Sequence, residues 1–121
     1  MNMDDGLLEG RIKRELTKIH KTELGKGPDN ITIKIYDNIL TVVYRGALTT
    51  IEESLLSVED GKEMVESIRD KLFENRRDFF KSFFEKHTGV PVDIMNSCFD
   101  NDYSTLYCFV IFERNVRTSA H

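Results

Sequence analysis

Leu106-Tyr107-Cys108-Phe109-Val110-Ile111-Phe112 is apolar without a break, and Ile39-Leu40-Thr41-Val42-Val43-Tyr44 is interrupted only by Thr41. A strand with one wet face alternates, because successive side chains point to opposite sides of the sheet. These two runs do not alternate, so each is expected to be covered on both sides at the centre of a sheet. Ile31, Ile33 and Ile35 do alternate with Thr32, Lys34 and Tyr36, as an edge strand should. Asp37-Asn38 joins this edge to its neighbour as a two-residue turn. Val92, Ile94 and Met95 precede the last run, with a turn at Asp100-Asn101-Asp102.

Two helical patterns flank the hairpins. Leu8, Ile12, Leu16 and Ile19 form one apolar stripe from about Leu7 to Leu24, with Asp4 or Asp5 to cap its start and Gly25 to stop it. From Lys62 to about His87 a long helix is expected, carrying Met64, Val65, Ile68, Leu72, Phe73, Phe79, Phe80, Phe83 and Phe84 before Gly89 and Pro91 end it. Arg76-Arg77 falls on its wet side. Between the halves, Thr49 and Thr50, each followed three residues on by Glu52 and Glu53, offer overlapping capping boxes for a short helix.

Each half therefore runs helix, glycine, proline, hairpin. The order α-β-β-α-β-β predicts an α+β fold: one four-stranded, antiparallel-rich sheet in the order 1-2-4-3, with helices on one face, a circular permutation of the ferredoxin-like plait. Residues 1–121 are read as a single domain, since a 14.1 kDa chain can bury roughly two thirds of its extended surface around one core. If helices cover one face, the other is left greasy, and a second copy of the chain is the simplest cover. The interface residues expected are Val42, Tyr44, Tyr107 and Phe109.

Composition narrows the function classes. The chain is 40% hydrophobic and 31% charged, which is ordinary globular chemistry. Its net charge of −4 is the wrong sign for wrapping nucleic acid, so no specific nucleic-acid partner is expected. No apolar run approaches the ~20 residues of a membrane helix, and Met1-Asn2-Met3-Asp4-Asp5 is acidic where a signal peptide is basic. The expectation is a soluble cytoplasmic protein. Charge is uneven: between Arg11 and Lys26 six cations face Glu15 and Glu23, a local +4, which leaves −8 for the rest.

No arrangement of residues announces catalysis. His20, His87 and His121 have no partners at metal-ligand spacing, so neither metal nor cofactor is expected. Cys98 and Cys108 fall on the two strands of the last hairpin, about three residues out of step, and are read as unpaired thiols. Gly25-Lys26-Gly27-Pro28 resembles a phosphate loop only superficially, because it follows a helix and precedes a strand, the reverse of that motif. The turn still presents a lysine beside a basic helix. A competing expectation is therefore a binding site for a small ligand, anion or nucleotide at Gly25, Lys26, Gly27 and Pro28, with Lys21 and Arg45 nearby.

His20-Lys21-Thr22-Glu23-Leu24-Gly25-Lys26-Gly27-Pro28, then Leu48-Thr49 with Glu52 and Leu55, then Thr88-Gly89 and a hairpin with an acidic turn, resembles the MpsC-like (YbcI) family of small bacterial proteins of unknown function. The resemblance runs from about Leu8 to Phe112. It implies association with a sodium-translocating, membrane-potential-generating or bicarbonate-uptake system, and it implies no catalytic set. Gly25 to Pro28 is the signature turn. The reading that results is a non-enzymatic interaction or regulatory module, acting as a homodimer and accessory to membrane transport.

Overall fold

The computed structural model describes residues 3–116, the side chains from Gly6 onward. Its elements are α1 (Met3–Leu24), β1 (Asn30–Tyr36), β2 (Ile39–Arg45), α2 (Thr50–Leu55), α3 (Gly61–Asn75), α4 (Arg77–Thr88), β3 (Val92–Phe99) and β4 (Thr105–Phe112). The four strands form one antiparallel sheet in the order β1-β2-β4-β3, so the two doubly apolar runs are indeed the inner pair.

The α1 stripe behaves as its spacing requires. Leu8, Ile12 and Leu16 are buried against Ile31, Ile33, Leu40, Val42, Val110 and Phe112 of the sheet. Helix α1 begins at Met3, so Asp4 and Asp5 lie inside its first turn; the cap expected of them concerns side chains outside the described residues. At the other end Gly25 takes φ = 77°, and its N–H donates to Lys21 O at 2.9 Å. That left-handed conformation closes a helix and suits glycine.

Helix α1 packs on β1, and α4 packs on β3 and α1. Their common side of the sheet holds Ile31 and Ile33 of β1, Leu40, Val42 and Tyr44 of β2, Val110 and Phe112 of β4, and Val92 and Met95 of β3, all buried.

The single long helix expected from Lys62 to His87 is instead two. Arg76 (φ −108°, ψ 10°) ends α3 and starts α4. The break lets α4 bring Phe84 down onto the sheet while α3 packs on α2 and α4. One straight rod could not follow both supports. Arg76 and Arg77 stand half-exposed at the bend: Arg76 pairs with Glu23 of α1 and stacks over Phe79 at 3.9 Å, and Arg77 pairs with the exposed Glu74 at 2.7 Å.

The last hairpin has a wider loop than expected. Cys98 lies opposite Tyr107 where about Thr105 is expected, and Cys108 opposite Ser97 where about Met95 is expected, a slip of two that leaves the thiols one residue out of step and not three. Asp100 is the reason. Its carboxylate accepts from Thr105 N at 3.1 Å and Ser104 Oγ at 3.0 Å, while Tyr103 takes φ = 62° and stacks on Phe99. A slip of two keeps every side chain on its face. The polar tail expected from Asn115 onward starts differently too: Val116 is buried and its N–H donates to Asp37 O at 2.9 Å. Arg117–His121 lie outside the described residues.

Candidate functional site

The segment after β2 gathers the chain's buried polar groups. Thr49 caps α2 by accepting from Glu52 N at 3.2 Å, and Glu52 returns the bond by accepting from Thr49 N at 2.9 Å. The same carboxylate takes Arg69 of α3 in a two-pronged pair, at 2.7 and 2.8 Å. Arg69 also donates to Ala47 O at 2.6 Å. His20 of α1 approaches Ala47 O through Nε2 at 3.1 Å and Lys26 O through Nδ1 at 2.6 Å. Finally Lys26 Nζ donates to Leu48 O at 3.2 Å. Three basic side chains from two helices and the signature turn thus converge on one stretch of backbone.

The chain must bend sharply to reach this stretch. Gly46 has φ = 65°, and a Cβ there would lie 2.1 Å from the Asp29 carboxylate. Asp29 N in turn donates to Arg45 O at 2.9 Å. Glycine is needed on both counts.

Two ionisations are displaced. Burial pushes the Glu52 carboxyl up, but the hydrogen bonds from Arg69 and Thr49 prevail and hold it below the ordinary range. Burial holds the His20 imidazole below its ordinary pKa, against the pull of the two carbonyls. A neutral imidazole carries one N–H. Both ring nitrogens face carbonyl oxygens, so the neutral ring donates to only one of the two at a time. The ring stacks on Tyr44, centroids 5.6 Å apart.

Gly25, Lys26, Gly27 and Pro28 accordingly form one turn clamped between α1 and the Ala47–Leu48 backbone, with the lysine ammonium turned onto a carbonyl. Lys21 is exposed, and Arg45 is exposed beside Thr32 Oγ1 at 3.4 Å. His20 and Arg69 were not anticipated as partners of the turn. A weak signal exists for each: His20 falls four residues after Leu16, and Arg69 four after Val65, so both lie on apolar stripes where a polar residue needs a partner.

The other feature is the sheet face away from the helices. Ile39 (40% exposed), Ile94 (46%), Tyr107 (37%) and Phe109 (40%) lie on it, with Val43 and Ile111 half-buried between them. Lys34 and Arg45 stand at the β1 side. Of the four residues expected at an interface, Tyr107 and Phe109 lie on this open face. Val42 and Tyr44 do not: they lie on the covered face, 1% and 9% exposed, and Val43 and Ile39 take the open positions. The correction is one of parity. A strand greasy on both sides does not reveal which side its own helices will cover, and a one-residue change exchanges the faces.

The thiols divide between the faces. Cys98 is exposed; Cys108 faces the helices, where burial pushes its thiol up to about 12, and neither is disulfide-bonded. Among the described residues no three His, Cys, Asp or Glu side chains are placed to share a metal ion, and no helix is long and apolar enough to cross a membrane.

Comparison with known proteins adds a family. The family model described as "Na+-translocating membrane potential-generating system (MpsC)" matches residues 4–114. The chain is also similar to "Uncharacterized protein YbcI" of Bacillus subtilis (strain 168), 26% identical over 92 residues, which is 76% of this chain and 74% of that protein. No solved structure matches.

Proposed function

Since this chain belongs to the MpsC family, we propose that it is a non-enzymatic interaction module, a cytoplasmic homodimer accessory to a Na+-translocating, membrane-potential-generating system. The observation that carries this reading is the open sheet face. Ile39, Val43, Ile94, Tyr107, Phe109 and Ile111 form one apolar band across three strands, and a band of that kind in water is a contact surface in the making. A second copy suits it: two such faces placed about a two-fold axis bury aromatic against aliphatic side chains, while Lys34 and Arg45 remain on the rim. The buried polar groups support the non-enzymatic part, because Glu52, Arg69, His20 and Lys26 are engaged with one another and with backbone in holding loops together.

Sedimentation of the purified chain tests the dimer. At micromolar concentration the expected mass is twice 14.1 kDa, and a strict monomer overturns the reading. The competing expectation of an anion or nucleotide at Gly25–Pro28 is less favoured, since Lys26 Nζ donates to Leu48 O. It predicts a rise in Tm with phosphate or a nucleotide. The link to the transport system rests on the family's description, and co-purification with membrane components from a native host tests it.

A further inference from the structure

Because α3 packs on α2 and α4 rather than on the sheet, the molecule keeps a cavity of about 560 Å³ between α1, α3, α4 and the covered face. That size is within the range of small-molecule sites. The walls are mainly apolar, with Leu16, Ile19, Phe73, Phe80, Leu106 and Val110 among them. An apolar body suits such a space.

The charged residues of the lining decide what that body carries. Arg69 and Arg76 are both engaged, the first by Glu52 and the second by Glu23, so neither is free to hold an anion. Glu66 and Asp70 differ. Among the described residues neither carboxylate belongs to an ion pair. Glu66 accepts from the Tyr103 hydroxyl at 2.9 Å, while Lys62, one turn earlier on α3, is turned onto Asn101 O at 3.2 Å. Four residues apart on α3, Glu66 and Asp70 are neighbours on one helix face. Both line the cavity and both are exposed, which puts them at its mouth.

Tyr103 registers the negative potential there. Its phenol is pushed up first by the hydrogen bond to Glu66, and further by slight burial and by the charges of Glu66, Glu63 and Asp70. The same ring stacks on Phe99 of the lining, centroids 4.9 Å apart, so the acidic patch borders the cavity itself. An organic cation gains twice at such a place: its apolar part leaves water and its charge meets two carboxylates. We propose that this cavity binds a monovalent organic cation with an apolar chain, the chain held between α1, α4 and the sheet and the ammonium group held at the mouth by Glu66 and Asp70.

Three probes of matched chain length test it: decylammonium, decanol and decanoate, each kept below its micellar range and titrated against the full chain by Tm and NMR. Decylammonium is expected to bind tightest and decanoate weakest, with NOEs from the chain to the Phe73 and Phe80 rings. Asp70→Asn should weaken decylammonium about 2- to 5-fold, the worth of one exposed charge pair, and leave decanol unchanged. Asp70→Lys, at an exposed helical position, should turn the preference toward decanoate. Phe109 belongs both to the lining and to the open sheet face, so the same samples are sedimented with and without decylammonium. Binding by a monomer supports the site and overturns only the dimer. No binding of decylammonium, a preference for decanol or decanoate, NOEs to Ile39 and Ile94 of the open face instead, or an unchanged order in Asp70→Lys would each overturn the proposal.

Discussion

Two faces of one strand differ more than their sequences do. Leu40, Val42 and Tyr44 point one way from β2, and Ile39, Thr41 and Val43 the other, all from one greasy run. The first set is buried by α1 and α4, and the second is left half-open. Apolar side chains on both faces state that both want cover. They do not state who provides it. One face finds cover within the chain, whereas the other is proposed to find it in a second copy.

Charges placed on the two faces should break this symmetry in opposite ways. Val42→Asp puts an unpaired carboxylate under α1 and α4, and is expected to cost more than about 4 kcal/mol, enough to unfold the chain; circular dichroism checks it. Removing the clamp's guanidinium comes next. Arg69→Ala strands the Glu52 carboxylate, 8% exposed, and should cost about 3–5 kcal/mol in denaturant unfolding. If the loss is under 1 kcal/mol, the pair is not what fixes the Ala47–Glu52 segment.

Phe109→Glu, on the open face, should leave the monomer's stability within about 1 kcal/mol and abolish the dimer in sedimentation. If it unfolds the chain instead, the two faces are alike after all. The smallest effect is in pH. The folded Glu52 carboxyl resists protonation relative to the unfolded one, so the unfolded state binds more protons as acid is added. Stability supplied by Glu52 is therefore complete above its ordinary pKa of about 4.3 and is lost as pH falls through the lower folded value. Glu52→Gln should flatten that acid limb in a series of chemical melts. His20 acts in the same direction higher up: its folded pKa lies below about 6.5, so stability should decline as pH drops beneath that value, and not in His20→Gln.

The sheet was legible because it depends on local pattern. Alternation at Ile31–Tyr36 and its absence at Ile39–Tyr44 and Leu106–Phe112 sort edge from centre, and hence give the order β1-β2-β4-β3. The helix break was not legible. Every residue from Lys62 to Thr88 is compatible with helix, and the bend at Arg76 arises because α2 and the sheet draw the two halves to different supports. The clamp was half legible. Thr49 with Glu52 is a capping box at short range, but the second partner of Glu52 lies 17 residues away on another helix, and no spacing rule reaches that far.

By itself the sequence determined which segments are strands, which two lie innermost, and where the chain must turn, since backbone conformation and burial period are set by near neighbours. Only the tertiary structure decided which side of those strands is roofed, that Lys26 spends its charge on a carbonyl, and that α3 stands off to leave a chamber. These depend on how rigid elements divide a limited space, and a pattern of period two or 3.6 carries no information about that division.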